Sequence, residues 1–358
     1  MNTDVLIVGG GIAGLSLACK LAPHAAVVLV EAEGTLAYHT SSRSARQMQP
    51  SYGPAAIREL TARSIEAVRG ISAELGQPIL QPRPLIFIGT EADVTASTAA
   101  NAHLRPLGHA ETLLLSPDLR PDAFAAACLD DSAMEVDVPA LLEYYRSGAV
   151  AAGAAIMTGL PVHTMQRTSG GWIAGAGEEA IVAAVVVNAA GAWADPLAVI
   201  AGVGIQCLRP HRRTAAIVRT EQPVNPAGPM VAAVDNSFYY RPDGSALLIS
   251  PCESIPSIAE DARAVEGDVR RLIERLNAVT SLGIAGLERS WTGLRTSGSD
   301  GLPVVGFDAE SPGFFWLAGQ GGYGIQTSAA IAELAAGLIL SPAEPPNSLS
   351  LELAADRP

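Results

Sequence analysis

The first thirty residues constrain this chain more than any other stretch. Residues 3–31 read TDVLIVGGGIAGLSLACKLAPHAAVVLVE. Residues 5–8 are a continuous apolar run, the pattern of a strand buried on both faces. Gly9, Gly11 and Gly14 then complete G-x-G-x-x-G. The spacing predicts a helix over 12–21 and a second buried strand over 27–30, ending at Glu31. Such glycines let the backbone turn tightly and approach a pyrophosphate, whose charge meets the positive end of the helix dipole. A carboxylate closing the second strand can take the two hydroxyls of an adenosine ribose. Glu31 stands 17 residues after Gly14, near the expected spacing of about 20. A bare glycine pattern fits any tight turn in a βαβ unit. Strand, glycines, helix, strand and acid in this order specify a dinucleotide site.

The chain has 358 residues, a length that predicts about two domains. At 49% hydrophobic and 16% charged it can bury a large core. A net charge of -13 without any basic block argues against nucleic acid as a partner. Lys20 is the only lysine, which removes that residue type from most catalytic roles. Cys19, Cys128, Cys207 and Cys252 are scattered, and the six histidines lack ligand spacing, so no metal is expected. The chain enters its first strand at once, leaving no room for a signal peptide. Its most apolar stretches, such as 181–194, fall short of the roughly 18 residues of a spanning helix. The expectation is a cytoplasmic protein without a transmembrane segment, with peripheral association at a membrane left open.

Further along, a helix is expected to start near Ser44 and another over 57–68. A strand is read over 83–89, a helix over 93–107, and a loop with a short helix over 117–127. Asp137 is a good N-cap, with Pro139 in the first turn behind it. Strands follow over 154–158, 172–174 and 181–188, and residues 175–180 read as a hairpin turn. Residues 212–219, 238–241 and 246–250 look like an antiparallel layer, with a turn at 242–244 and a helix at 265–278 after it. Strands at 303–306 and 314–318 lead to Gly319-Gln-Gly-Gly-Tyr-Gly and a last helix over 325–340. That second glycine cluster has no strand ending in an acid after it. It reads as another helix N-terminus aimed at the same cofactor, where its dipole would stabilise negative charge on a reduced flavin.

Five stretches together resemble the D-amino-acid oxidase superfamily of flavoproteins. They are the opening fingerprint, His39-Thr-Ser-Ser-Arg-Ser-Ala, Val187-Asn-Ala-Ala-Gly-Ala-Trp-Ala-Asp, Trp291-Thr-Gly-Leu-Arg and Gly319-Gln-Gly-Gly-Tyr-Gly-Ile-Gln-Thr. Within it the chain is similar to the bacterial FAD-dependent D-amino-acid dehydrogenases, D-arginine dehydrogenase in particular. The likeness runs nearly end to end. It implies a mixed α/β and α+β fold: a Rossmann-like FAD-binding domain of the glutathione-reductase type with a second, mostly antiparallel substrate domain. The implied segments are 1–80, 140–205 and 290–345 for FAD, 81–139 and 206–289 for the substrate, and 346–358 as a tail.

The resemblance also implies residue roles. Gly9, Gly11, Gly14 and Glu31 would hold the ADP half of non-covalent FAD, and Ser41, Arg43, Ser44 and Ala45 the pyrophosphate and ring. Val162 would meet the adenine, with Ala190 and Gly191 on the adenosine side. Gly322, Tyr323, Gly324, Ile325, Gln326 and Thr327 would surround the isoalloxazine. Arg213 and Arg295 match the family arginines near the substrate, and Tyr52 and Tyr239 its active-site tyrosines. A guanidinium takes a carboxylate by two charge-assisted bonds, so any of Arg209, Arg212 and Arg213 could serve by type. Surface placement of Arg213 and core packing of Tyr239 beside Phe238 and Tyr240 are the plainer alternatives. His39 and His211 read as structural or solvent-facing.

Two positions depart from the relative. Leu85 stands where the acid facing a substrate guanidinium is expected, and Gln47 where the family has a histidine on an early helix. Both would line the side-chain pocket. A buried cation opposite leucine is costly, so a neutral, apolar or aromatic substrate side chain is expected. The implied reaction is oxidative deamination of a D-amino acid by hydride transfer to the flavin. Oxidation of an N-substituted glycine, a proline-type imino acid or a 2-hydroxy acid, and a flavin-binding subunit without turnover, are the alternatives. Relatives of the sarcosine-oxidase type use a lysine over the flavin to help oxygen react. The sole lysine here, Lys20, lies on the first helix, so the resemblance implies a quinone or another carrier as electron acceptor.

Overall fold

The computed structural model describes residues 1–342, 345 and 347–357. The opening strand Asn2–Val8 lies between two parallel neighbours, Val27–Val30 and Glu179–Asn188. Residues 5–8 and 27–30 are buried throughout, as their unbroken apolar runs require. Ala155–Met157 extends this eight-stranded sheet beyond Val27–Val30. Beyond Glu179–Asn188 the sheet divides. The first half of that strand joins the antiparallel meander of Gly171–Ala176 and Val162–Thr168, and its end pairs in parallel with Phe314–Ala318.

Alternation along the opening strand sorts the core into two. Ile7 packs with Leu15, Leu60, Leu141 and Leu334 from the helices Ile12–Leu21, Ala55–Leu75, Val138–Ala151 and Gly324–Leu340. Leu6 faces the other way, toward Trp172, Trp316 and the helix Ala194–Ala201.

In the nine-stranded second sheet Arg209–Thr220 lies near one edge, paired antiparallel with Ala246–Ser250 and Ile284–Ser297. One face lies under the helix Glu266–Val279 and buries Ile86, Ile88, Ala216, Val218, Tyr240, Leu247 and Ile249. The opposite face carries Leu85, Ala215, Ile217, Tyr239 and Leu248.

Several local expectations need correction. The helix expected over 93–107 is Glu91–Ala100, capped by the Thr90 side chain. Pro106 cannot continue it, and Arg105–Leu107 instead pairs with Ala126–Asp130. The short helix expected inside 117–127 lies earlier, at His109–Leu115. No helix starts at Ser44: its hydroxyl accepts from the Arg46 amide, Arg46 adopts φ +58°, and Gln47–Met48 continues as a short strand against Met134 and Glu135. Gln47 is therefore on a strand and not on a helix. The expected tail holds a helix, Ser348–Glu352, whose Leu349 packs with Leu353 into the first core. Residues 346 and 358 of that tail, with 343 and 344 before it, lie outside the described residues. No helix among the described residues is long and apolar enough to cross a membrane.

Candidate active site

One long cavity runs from the opening fingerprint to Arg213 and Arg295. Its first end is made largely of backbone. Gly9 has φ +117°, and a Cβ there would fall 2.4 Å from the Ala189 carbonyl oxygen. A Cβ on Gly14 would stand 1.9 Å from the Gly9 carbonyl oxygen. Gly14 does not line the cavity; it lets the first helix rest directly on the strand before it. Gly11 does line it, and as N-cap it offers no side-chain cap to the helix amides. The Ser41 hydroxyl accepts from the Ile12 amide at 2.9 Å. Glu31 is fixed by two amides, Oε2 accepting from Gly10 at 2.6 Å and Oε1 from Glu33 at 2.9 Å. Tight glycines, open helix amides and an oriented carboxylate fit the ADP half of FAD.

Val162, Ala190 and Gly191 wall this end. His39 also lines it, which the sequence did not indicate: its Nε2 is 2.9 Å from Glu33 Oε1 and its ring packs on Trp193 at 4.5 Å. Ser44 and Ala45 line the middle. Arg43 lines it too, but its guanidinium is committed elsewhere, donating to the Thr292 carbonyl and to Asp261, both at 2.7 Å.

The other end is built from side chains on the second sheet. Arg212 turns to Glu260 at 3.4 Å and Arg209 is exposed, whereas Arg213 and Ala215 line the cavity. The same alternation sends Tyr240 across the sheet, its hydroxyl donating to Asp118 at 2.6 Å, and leaves Tyr239 at the cavity. Arg213 pairs in register with Gly293, and Arg295 follows two residues later on the same face. A Cβ on Gly322 would lie 2.8 Å from Arg295 Nη1, so the bare glycine leaves the guanidinium its place.

Arg295 Nη1 donates to the Tyr52 hydroxyl at 3.3 Å, and the Tyr52 ring leans on Tyr323 at 5.0 Å. Arg213 Nε donates to the Glu253 carbonyl at 2.7 Å. Among the described residues neither guanidinium forms an ion pair. Burial, and after it the Arg295 charge, pulls the Arg213 pKa down. Burial also opposes the charge on Arg295, but Tyr52 and Tyr239 outweigh it and its pKa ends raised. Burial pushes Tyr239 up and Tyr323 up to about 12, so both phenols stay protonated at neutral pH.

The glycine cluster closes this end. Gly319 and Gly321 take φ +73° and +54°, and the Gly321 amide donates to the Thr296 carbonyl at 2.8 Å. The helix Gly324–Leu340 starts there without a side-chain cap, with Gly324 and Ile325 at the cavity. Gln326 reaches the cavity while its Nε2 donates to Thr61 at 2.8 Å. Tyr323 and Thr327 are not lining residues. Tyr323 backs Tyr52, and the fully buried Thr327 donates to the Tyr323 carbonyl at 2.8 Å.

Of the two expected pocket residues, Gln47 lines the cavity, its Nε2 donating to the Arg83 carbonyl at 2.8 Å. Leu85 does not. It is buried in a cluster with Ala133, Ala232 and Tyr239, because alternation along Leu85–Gly89 packs it among these side chains. Gln49, Trp193 and Gln320 line the cavity without having been anticipated. Trp193 and Gln320 lie within stretches that carry the family resemblance, beside residues with implied roles, and Gln49 lies in a stretch with no periodic signal.

A family model described as FAD dependent oxidoreductase (DAO) matches residues 4–338. A glycine oxidase of Geobacillus kaustophilus (strain HTA426) is 28% identical over 353 residues, 94% of this chain and 92% of that protein. The solved structure of glycine oxidase from Geobacillus kaustophilus superposes with a TM-score of 0.87 at 24% identity, covering 100% of this chain and 99% of that one. L-proline dehydrogenase from P. horikoshii gives 0.88 at 19%, covering 99% and 97%. L-alpha-glycerophosphate oxidase from Mycoplasma pneumoniae, solved with FAD bound, gives 0.83 at 20%, covering 95% of each. These proteins support the family and not the narrower D-arginine dehydrogenase branch that the sequence suggested. The chain belongs to the DAO family of FAD dependent oxidoreductases, and FAD is its cofactor.

Proposed function

We propose that this protein oxidises the α-carbon of an amino acid with a free carboxylate and a neutral side chain. D-amino acids are the expected class, with achiral glycine beside them, giving an imino acid that hydrolyses to a 2-oxo acid and ammonia. One observation carries this reading: Arg213 and Arg295 face the same cavity and, among the described residues, neither has a carboxylate partner. Two such cations call for an anion, and a planar guanidinium matches a carboxylate in two bonds. Arg295 would hold it, with the Tyr52 hydroxyl adding a hydrogen bond and Arg213 a second charge. Tyr239 and the Tyr52–Tyr323 pair would exclude water. When bound, FAD supplies the hydride acceptor. The protein's share is orientation, which holds the Cα–H of a fixed carboxylate on one line.

Among the described residues Glu31 and Glu33 are the only acids lining the cavity, and both lie at its dinucleotide end. A cationic side chain would thus meet no counter-charge near Arg295, which supports neutral substrates over D-arginine. Lys20 pairs with Glu333 at 3.4 Å away from the cavity, which supports a quinone or other carrier as acceptor. Cys19, Cys128, Cys207 and Cys252 are not lining residues either, in keeping with non-covalent FAD. A second reading, a secondary amine such as an N-substituted glycine or a proline-type imino acid, is favoured by the likeness to L-proline dehydrogenase.

Anaerobic bleaching of the flavin absorbance by a panel tests both: D-leucine, D-phenylalanine, D-arginine, glycine, N-methylglycine, both prolines and a 2-hydroxy acid. Full bleaching by neutral D-amino acids or glycine is expected. Preference for D-arginine, or reduction by the hydroxy acid alone, would sink the proposal.

A further inference from the structure

A second cavity of about 700 Å³ shares Ala37, Arg43 and Ser44 with the cofactor cavity. A single segment of backbone therefore separates the two. The volume lies within the range of small-molecule sites. Leu15, Leu142, Ile217, Leu248 and Trp291 supply the apolar part of the second cavity's lining, which Glu143 and Asp243 also join. Arg46, Arg146 and Arg289 stand among them, but Arg46 is paired with Asp243 and Arg146 with Glu143. Arg289 forms no ion pair among the described residues, and its guanidinium lies 5.4 Å over the Trp291 ring.

The dividing segment is itself unusual. Ala37 and Arg46 both take positive φ, +55° and +58°, two of the five non-glycine residues that do so among those described. Backbone held in this region costs energy and collects at functional places. Trp291 Nε1 also donates to the Arg43 carbonyl at 3.2 Å, so the indole is tied to a residue that faces the cofactor cavity.

Apolar side chains, a fixed indole and a guanidinium that lies over that indole without an ion pair suit a flat ring that carries carbonyl oxygens. The ring can stack on Trp291 while an oxygen accepts from Arg289. We propose that this cavity binds the electron acceptor, a quinone. The reduced cofactor gives up two electrons and two protons, the two quinone carbonyls become hydroxyls, and oxidised FAD and quinol result. The proposal rests on the reading of the acceptor given above and not on the substrate.

The test uses the FAD-loaded protein with 2-methyl-1,4-naphthoquinone as probe. Saturable quenching of tryptophan emission is expected, lost in Trp291→Phe and weakened about fivefold to tenfold in Arg289→Ala. Flavin reduced with dithionite, with no amino acid present, should be reoxidised by the quinone with saturation. The rate should fall about tenfold in Trp291→Phe and in the cavity-filling Leu142→Trp. Flavin content and circular dichroism establish that each variant folds. Equal quenching in Trp291→Phe, or unchanged reoxidation in folded Leu142→Trp, would overturn the site. Failure of every amino acid in the bleaching panel would defeat the substrate reading and leave this experiment standing.

Discussion

The two ends of the cofactor cavity are built on different plans. At the dinucleotide end Gly9, Gly11, Gly14 and Glu31 come from one strand–helix–strand unit and act through backbone amides, close contacts and one acid. At the arginine end Tyr52, Arg213, Tyr239, Arg295 and Gly322 come from five separate stretches; strand register brings Arg213, Tyr239 and Arg295 together, and two loops add Tyr52 and Gly322. The first plan leaves little to vary, since an atom added at Gly9 or Gly14 strikes backbone and one at Gly11 meets the Ser41 hydroxyl. The second leaves the chemistry open to change, since each side chain can be exchanged on an intact strand.

Gly14→Val should show the largest effect. The added Cβ would need the place of the Gly9 carbonyl, and we expect protein that holds no flavin or melts well below the parent, by absorbance and thermal unfolding. Wild-type flavin content in this variant would break the distinction between the two ends.

Next comes the wall beside the arginine end. Glu135 pairs with both Arg83 and Arg241, and Arg241 Nη1 donates to the Ala45 carbonyl at 3.2 Å. Burial favours the neutral form of Glu135, but Arg241 and then Arg83 override it and hold its pKa below the ordinary 4.5. Because the folded value is depressed, its stabilisation is present above the unfolded pKa and is lost as pH falls through the lower folded one. Glu135→Gln should cost about 3 kcal/mol at neutral pH and flatten the acid limb of a stability–pH curve. An unaltered acid limb would show that this group does not carry the acid response.

Arg295→Met should keep its flavin and lose about 3 kcal/mol of transition-state binding, roughly a hundredfold in kcat/KM. Loss of flavin together with activity would mean that this arginine serves the cofactor. Glu31→Gln should do the reverse, weakening FAD about tenfold in a dialysis or fluorescence titration with KM for substrate unchanged. Smallest of all, Tyr52→Phe removes one hydroxyl and should raise KM a few-fold, about 1 kcal/mol, with the flavin spectrum intact.

Regular alternation was the part of the second sheet that could be read in advance, yet it could not say which phase faces the site. Arg209, Arg212 and Arg213 are equivalent by type. Pairing of Arg213 with Gly293 selects the last and turns Arg212 toward Glu260. Phe238, Tyr239 and Tyr240 are an aromatic run, and only the register puts Tyr239 at the cavity and the Tyr240 hydroxyl on Asp118. Leu85 was placed one layer too far forward, because a strand position matched by motif does not reveal what packs in front of it. The helix expected over 93–107 ran too far for the opposite reason, because the local signal was there to be read: it stops at Ala100, Asn101 turns extended, and Pro106 sits in a short strand.

The chain by itself determined the nucleotide crossover, because glycine conformations, a helix start and a terminal acid are properties of neighbouring residues. It also determined the supply of guanidinium and phenol groups. Tertiary structure alone decided which of them converge, that both arginines lack a carboxylate partner among the described residues, and that a second cavity backs the first. Those outcomes depend on strand register and on contacts between residues more than a hundred positions apart, and no local pattern encodes either.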